Sequence, residues 1–166
     1  MIIAETERLI MRSFELSDSD EYFTVISDDA VKKYVPYGSA YTLKGTIELV
    51  KSYYLCDFIN DFYIVLEDKA TSKIIGAIIA CKLDSVSLDV CYLVNRRFRN
   101  QGYMKEALSC FVDYVFNKKR YSILKFTIEN ENIASRQVVQ YCGATPYKKL
   151  SNSRVWRIKF DPIELL

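Results

Sequence analysis

Arg96-Arg97-Phe98-Arg99-Asn100-Gln101-Gly102-Tyr103-Met104-Lys105-Glu106-Ala107-Leu108 is the stretch whose reading decides the fold. Before it, Val86 to Val94 alternates as a strand does; after it, Met104, Ala107, Leu108, Phe111 and Val115 recur at helical spacing. The segment between is basic and holds one glycine. A strand turning through such a segment into a helix presents free backbone N–H groups near the positive end of the helix dipole. That arrangement suits an anionic ligand, and Gly102 lets the ligand approach the main chain closely. The dipole alone contributes about 0.3–1 kcal/mol, so several amides and the arginines must act together.

Immediately upstream, Val86, Leu88, Val90, Tyr92 and Val94 share one parity, and Ser87, Asp89 and Cys91 the other. One acid therefore projects from the face opposite the aliphatic row. Further back the pattern is a meander: Phe62 to Glu67, a turn at Asp68 to Lys73, Ile74 to Leu83, and a turn at Asp84-Ser85. Glu7 to Ser13 reads as a first strand, and Ser17 to Asp20 starts a first helix. Asp28-Asp29 opens a second, which Pro36 ends. Thr42 caps a third, from about Leu43 to Asp57, with Ile47, Val50, Tyr54 and Leu55 on its apolar stripe. Between these helices, the tyrosine-rich loop with Tyr34, Tyr37 and Tyr41 either walls a substrate pocket or packs on the core.

Downstream, Ser122 to Glu129 follows a helix and is expected to pair parallel to the strand before that helix. Asn130 to Ser135 opens a short helix to Tyr141, closed by Cys142-Gly143. Strands at about Ala144 to Leu150 and Arg154 to Phe160 form a hairpin across Ser151-Asn152-Ser153.

Composition narrows the chemistry. At 166 residues, half of them apolar, the chain is expected to form one domain over residues 1–166 with a substantial core. No apolar run approaches membrane-spanning length, and Met1 to Arg12 lacks a signal-peptide layout, so a cytoplasmic location and no membrane partner are expected. A net charge of +2 gives no argument for nucleic acid and favours a small polyanion at the basic turn. The five cysteines show no CxxC spacing and read mostly as buried small hydrophobes. There is no histidine, which removes histidine bases, Ser-His and Cys-His pairs and most zinc sites; no metal is expected.

The order of elements resembles the GNAT acyl-CoA N-acyltransferase family over nearly the whole chain. The words Thr6-Glu7-Arg8-Leu9-Ile10-Met11-Arg12 and Asp28 to Tyr34 resemble its branch of ribosomal-protein N-terminal acetyltransferases (RimJ/RimL-like). The resemblance implies a mixed α/β fold, with a mostly antiparallel sheet splayed at its fourth strand and flanked by helices. It implies acetyl-CoA as cosubstrate and a primary amine as acceptor, either a protein N-terminal α-amine or a small-molecule amine. It leaves a homodimer open. The family's cofactor motif, Arg/Gln-x-x-Gly-x-Gly/Ala, is matched by Arg99, Asn100, Gln101, Gly102 and Tyr103 and missed at Met104, whose amide still serves while its side chain threatens to crowd the approach. Tyr92, Leu93 and Val94 would pair with the pantetheine arm as an added strand, and Asn132 would bind it or merely cap its helix. Arg96 and Arg97 would meet the 3′-phosphate or stand solvated.

For the chemistry, Asp89 stands where this branch often has a glutamate base, one carbon shorter, and is either that base or a solvated strand acid. Ser135 would partner the leaving thiolate or merely hydrogen-bond on its helix surface; the family's usual tyrosine position is Val139. Cys91 lacks a base, so direct transfer is favoured over a covalent enzyme intermediate. These two departures keep a second reading open, a CoA-binding sensor or interaction module with impaired turnover.

Overall fold

The computed structural model describes residues 1–35, 38–118 and 120–160. It contains an eight-stranded sheet in the order β1-β2-β3-β4-β5-β6-β8-β7. The strands are β1 (Ile2–Glu5), β2 (Leu9–Ser13), β3 (Phe62–Asp68), β4 (Lys73–Lys82), β5 (Ser87–Val94), β6 (Ile123–Glu129), β7 (Thr145–Lys149) and β8 (Ser153–Lys159). The helices are α1 (Ser19–Ile26), α2 (Asp29–Tyr34), α3 (Leu43–Tyr54), α4 (Tyr103–Asn117) and α5 (Ile133–Tyr141). Every neighbouring pair of strands is antiparallel except β5 and β6, which run parallel because α4 carries the chain across between them.

Two differences from the sequence reading stand out. Ile2–Glu5 forms a strand of its own, hairpinned onto β2, so the strand counted fourth in the sequence is β5. The alternation in Ile2–Glu5 is too short to register beside the acids around it. On α3 the buried residues are Thr46, Val50 and Tyr53, whereas Ile47, Tyr54 and Leu55 are exposed. Thr46 goes inside because its hydroxyl donates to Ala40 O at 2.7 Å and to Thr42 O at 3.0 Å, so its polarity is no bar to burial.

The sheet carries a core on each face. On one face Leu88 and Val90 of β5 pack with Met104, Ala107, Leu108, Phe111 and Val115 of α4, the stripe read from the sequence. On the other, α1 and α3 bring Tyr22, Val25, Val50 and Tyr53 against Val65, Ala77 and Leu93. Asp89 and Cys91 lie on this second face and are exposed.

The decisive feature is where β5 and β6 part. Their ladder consists of Ser87↔Ile123, Leu88↔Leu124 and Asp89↔Lys125. Beyond Asp89 the two strands diverge: the remainder of β6 pairs with β8, and Val90 to Val94 keep only β4 as a neighbour. The expected splay is therefore a fork whose crotch is the Asp89–Lys125 pair.

Gly76 in β4 sets how closely β5 approaches from the other side. A β-carbon there would lie 2.3 Å from Leu93 O, a backbone atom that cannot swing away. An isolated glycine inside a strand is the sequence mark of such an approach. Gly76→Ala should therefore destabilise the fold by about 1–3 kcal/mol, the usual range for overpacking, and displace the free edge of β5. Urea unfolding checks this; an unchanged midpoint would refute the constraint.

Candidate active site

The loop between β5 and α4 is built to leave amides open. Asn95 N–H donates to Ile75 O at 2.7 Å, ending the ladder, and Arg96–Phe98 forms a single helical turn. Asn100 and Gly102 then adopt positive φ, 59° and 83°, which turns successive N–H groups toward one side in the manner of an anion nest. Gly102 is the N-cap of α4, and no side chain caps that helix. The contrast with its neighbours is informative: Asp28 caps α2, Thr42 caps α3 and Asn132 caps α5 through their side chains. The first-turn amides of α4, the longest helix described, are left for another partner.

The cradle is held from behind by the amino-terminal hairpin. Glu106, in the first turn of α4, accepts from Thr6 Oγ1, from Arg8 N–H at 3.0 Å and from Arg8 Nε at 2.7 Å. Arg8 Nη2 lies 2.7 Å from the same carboxylate, Nη1 donates to Gln101 O at 2.9 Å, and the guanidinium covers the Tyr103 ring at 4.1 Å. Burial tends to raise the Glu106 pKa, but the bonds from Thr6 and Arg8 outweigh it and hold the carboxyl below its ordinary value. The Thr6-Glu7-Arg8 word is thus a clamp on the cofactor loop. Sequence reasoning missed this because the partners lie about a hundred residues apart.

Arg99 works from the opposite flank. Its Nε donates to Val94 O at 3.1 Å and its Nη2 to Asp28 Oδ1 at 3.1 Å. Arg99 therefore ties the loop to the start of α2, and one lone pair of the Val94 carbonyl is already engaged. Arg96 and Arg97 are exposed.

Along the fork runs a cleft of about 580 Å³. Of the residues singled out in the sequence, Tyr34, Tyr92, Leu93, Val94, Arg99, Asn100, Gly102, Tyr103, Met104, Asn132 and Ser135 line it. Gln101 faces away, its amide donating to Arg97 O at 2.8 Å. Tyr41 donates its hydroxyl to Val35 O and does not line the cleft. Tyr37 lies outside the described residues. Met104 is 5% exposed, packed with the core stripe of α4, so its side chain does not crowd the cradle as the sequence suggested. The cleft also takes in Ala30, Val31 and Val35 of the α2 segment, and Lys33 of α2 reaches Glu131 at 2.9 Å across its mouth.

Two bonds organise the far wall. Asn132 Oδ1 accepts from Ser135 N–H at 3.2 Å, so its carbonyl caps α5 while its amide nitrogen retains its donors. Tyr92, half-buried on the α4 side of β5, donates its hydroxyl to Ser135 O at 2.8 Å, bridging the fork. Burial pushes the Tyr92 phenol well above its usual range, so it stays protonated.

Asp89 stands at the crotch. Its surface is open, yet it lies low enough on a concave face that the surrounding protein raises its carboxyl pKa, an effect that nearby Lys125 opposes. Cys91, the next residue on that face, is pushed up to about 11 by the same burial and by the charge of Asp89. Val139 is fully buried and offers nothing to the cleft.

A family model described as "Acetyltransferase (GNAT) domain" matches residues 8–145. The chain belongs to the GNAT acetyltransferase family. Among curated relatives of this GNAT chain, the uncharacterized N-acetyltransferase YnaD of Bacillus subtilis (strain 168) is 28% identical over 141 residues, 83% of this chain and 79% of its own length. A GNAT-family acetyltransferase from Bacillus anthracis superposes with a TM-score of 0.84 at 23% identity, covering 96% of this chain and 98% of its own. RimL, a ribosomal alpha-N-protein acetyltransferase solved in complex with coenzyme A, gives 0.86 at 14% identity, covering 97% and 99%. As a GNAT member the chain is an acetyl-CoA-dependent acetyltransferase, and the uncapped α4 amides, the free β5 edge and the cleft volume fit that cosubstrate. No helix among the described residues is long and apolar enough to cross a membrane, and no cluster of metal-ligating side chains occurs among them.

Gly102→Val should weaken coenzyme A binding at least tenfold. A β-branched side chain is strained at φ 83°, and its β-carbon would lie 3.4 Å from Arg8 Nη2, pressing on the clamp that holds the loop. Asp89→Asn should leave that affinity within twofold. Calorimetric titration of both variants checks the pair, and equal affinity for wild type and Gly102→Val would sink the cradle. Lys125→Met should raise the Asp89 pKa by removing a neighbouring cation; a carboxyl-carbon NMR titration that moves down or not at all would contradict the placement.

Proposed function

We propose that the protein is an N-acetyltransferase that moves the acetyl group of acetyl-CoA directly to a primary amine, a peptide N-terminal α-amine or a small-molecule amine. The observation that carries this reading is the fork. The cradle at Gly102 and the free edge of β5 at Tyr92 to Val94 line one cleft. Asp89 and Lys125 lie outside that lining, three residues back along β5 at the crotch, where the opposite face of the sheet is exposed.

In this arrangement the amides of Gly102 to Met104 hold the pyrophosphate, Arg96 and Arg97 meet the 3′-phosphate, and Tyr92, Leu93, Val94 and Asn132 guide the pantetheine arm. A backbone N–H near Tyr92 stabilises the developing oxyanion. Asp89 takes the proton of the attacking amine, directly or through a water. Its raised pKa makes it a stronger base than an ordinary aspartate. In this reading Ser135, whose N–H is fixed by Asn132 and whose carbonyl is fixed by Tyr92, hydrogen-bonds the departing thiolate through its hydroxyl.

The magnitudes lean toward an α-amino or other low-pKa acceptor. Deprotonating a lysine amine of pKa near 10.4 at pH 7 costs about 4.6 kcal/mol, but an α-amine near 7.7–8.0 costs only about 1–1.4 kcal/mol. A short carboxylate base suits the second. Tyr34, which lines the cleft, contributes to the acceptor side.

Thiol release from acetyl-CoA with a panel of peptide α-amines, polyamines and aminoglycosides tests the reading. Asp89→Asn should lower kcat by about 10²-fold or more, in the range of general-base effects, and Ser135→Ala should lower kcat with cofactor affinity kept. Saturable coenzyme A binding with no thiol release across the panel would favour a sensor instead.

A further inference from the structure

Beyond the fork, the face that carries Asp89 is open. α1 and α3 cover it over β3, β4 and the end of β5, where Val65, Ala77 and Leu93 are buried. On β6, β7 and β8 the same face shows Thr127, Thr145 and Tyr147 exposed, with Lys125, Val155 and Arg157 half-buried. Register aligns Asp89 with Lys125, Lys125 with Arg157, and Arg157 with Thr145, so these four residues form one row across adjacent strands.

The charges in that row are unequal in what they already hold. Lys125 Nζ donates to Ser87 Oγ at 3.2 Å and lies 3.7 Å from Asp84 Oδ2. Arg157 has its guanidinium 4.3 Å from the centroid of the Tyr147 ring and has no carboxylate partner among the described residues. Stacking on a tyrosine fixes the plane of the guanidinium and leaves its N–H edge, a rigid fork of donors, free for an oxyanion. Lys148 and Lys159 share this face by register. Glu129 stands at the other end of β6, about 13 Å along the strand from Lys125.

We propose that Arg157, stacked on Tyr147 and supported by Lys125, is an anion subsite of the acceptor pocket, and that the acceptor is a primary amine carrying a carboxylate or phosphate group. Resting on the acetyltransferase reading, this names the substrate class. Two strand spacings separate the backbones of Asp89 and Arg157, about 9–10 Å. An amine over Asp89 and an anion over Arg157 are thus two to three residues of extended chain apart.

The test uses the full chain with two amidated tripeptides, Ser-Ala-Glu and Ser-Ala-Gln, and with amidated Ser-Ala-phosphoserine against Ser-Ala-Ser as the phosphate arm. Initial rates come from thiol release with acetyl-CoA, and dissociation constants from titration of the coenzyme A-loaded protein. Wild type should prefer the charged member of at least one pair by tenfold or more in kcat/KM. Arg157→Gln should reduce that preference to twofold or less, with coenzyme A affinity unchanged as the folding control, and Arg157→Lys should retain part of it. Equal rates for charged and neutral members, or a preference that survives in Arg157→Gln, overturns the subsite. If no amine releases thiol, the acetyltransferase reading falls, and the dissociation constants still judge the subsite: no charge preference in binding overturns it too.

Discussion

The parting of β5 from β6 is the constraint on which the rest of the molecule depends. A parallel pair normally continues to the end of the shorter strand, because each unpaired N–H and C=O left inside a protein is costly. Here pairing stops after three residues, and what keeps the strands apart is specific. β6 continues against β8, β5 is drawn to β4 by the close contact at Gly76, and the Tyr92 hydroxyl spans the gap to Ser135 O. The exposed edge of β5 is a template for an extended ligand, which would pair as an added strand.

A cradle of backbone amides is useful only if it keeps its shape without the ligand, since ordering it on binding would consume affinity. Two clamps supply that rigidity from opposite sides. Thr6 and Arg8 converge on Glu106 behind α4, and Arg99 joins the loop to Asp28 at the start of α2. The second clamp also ties the loop to the cleft wall formed by Ala30, Val31 and Tyr34 of α2. The Arg99 side chain is thereby a positioning group in this structure, although the motif alone suggested a phosphate contact.

How much of this was legible in the sequence depended on the range of the interaction. Periodicity located the α4 stripe and put Asp89 on the face opposite Leu88 and Val90, because both are set by local backbone geometry. The start of α4 after Gly102 and the cap at Thr42 were readable for the same reason. The outward face of Ile47 and Tyr54 was misread, since a threonine with two backbone acceptors took the inside position. Arg8 with Glu106, Arg99 with Asp28 and Tyr92 with Ser135 are pairs distant in sequence, and no spacing rule reaches them. Arg157 on Tyr147 depends on a bulge between Pro146 and Lys148, which turns the ring onto the arginine's face.

The neighbours Asp89 and Cys91 show why a shared environment selects one route. Burial raises both groups, and the charge of Asp89 raises the thiol further, to about 11. At pH 7 a thiol with that pKa is ionised in about one molecule in ten thousand, and there is no histidine to remove its proton. The same displacement makes Asp89 the stronger base, because a carboxylate with a raised pKa accepts a proton more readily. In the proposed reaction one corner therefore weakens the covalent path through Cys91 and strengthens Asp89 as the base. Direct attack of the amine on the thioester is the route this corner favours.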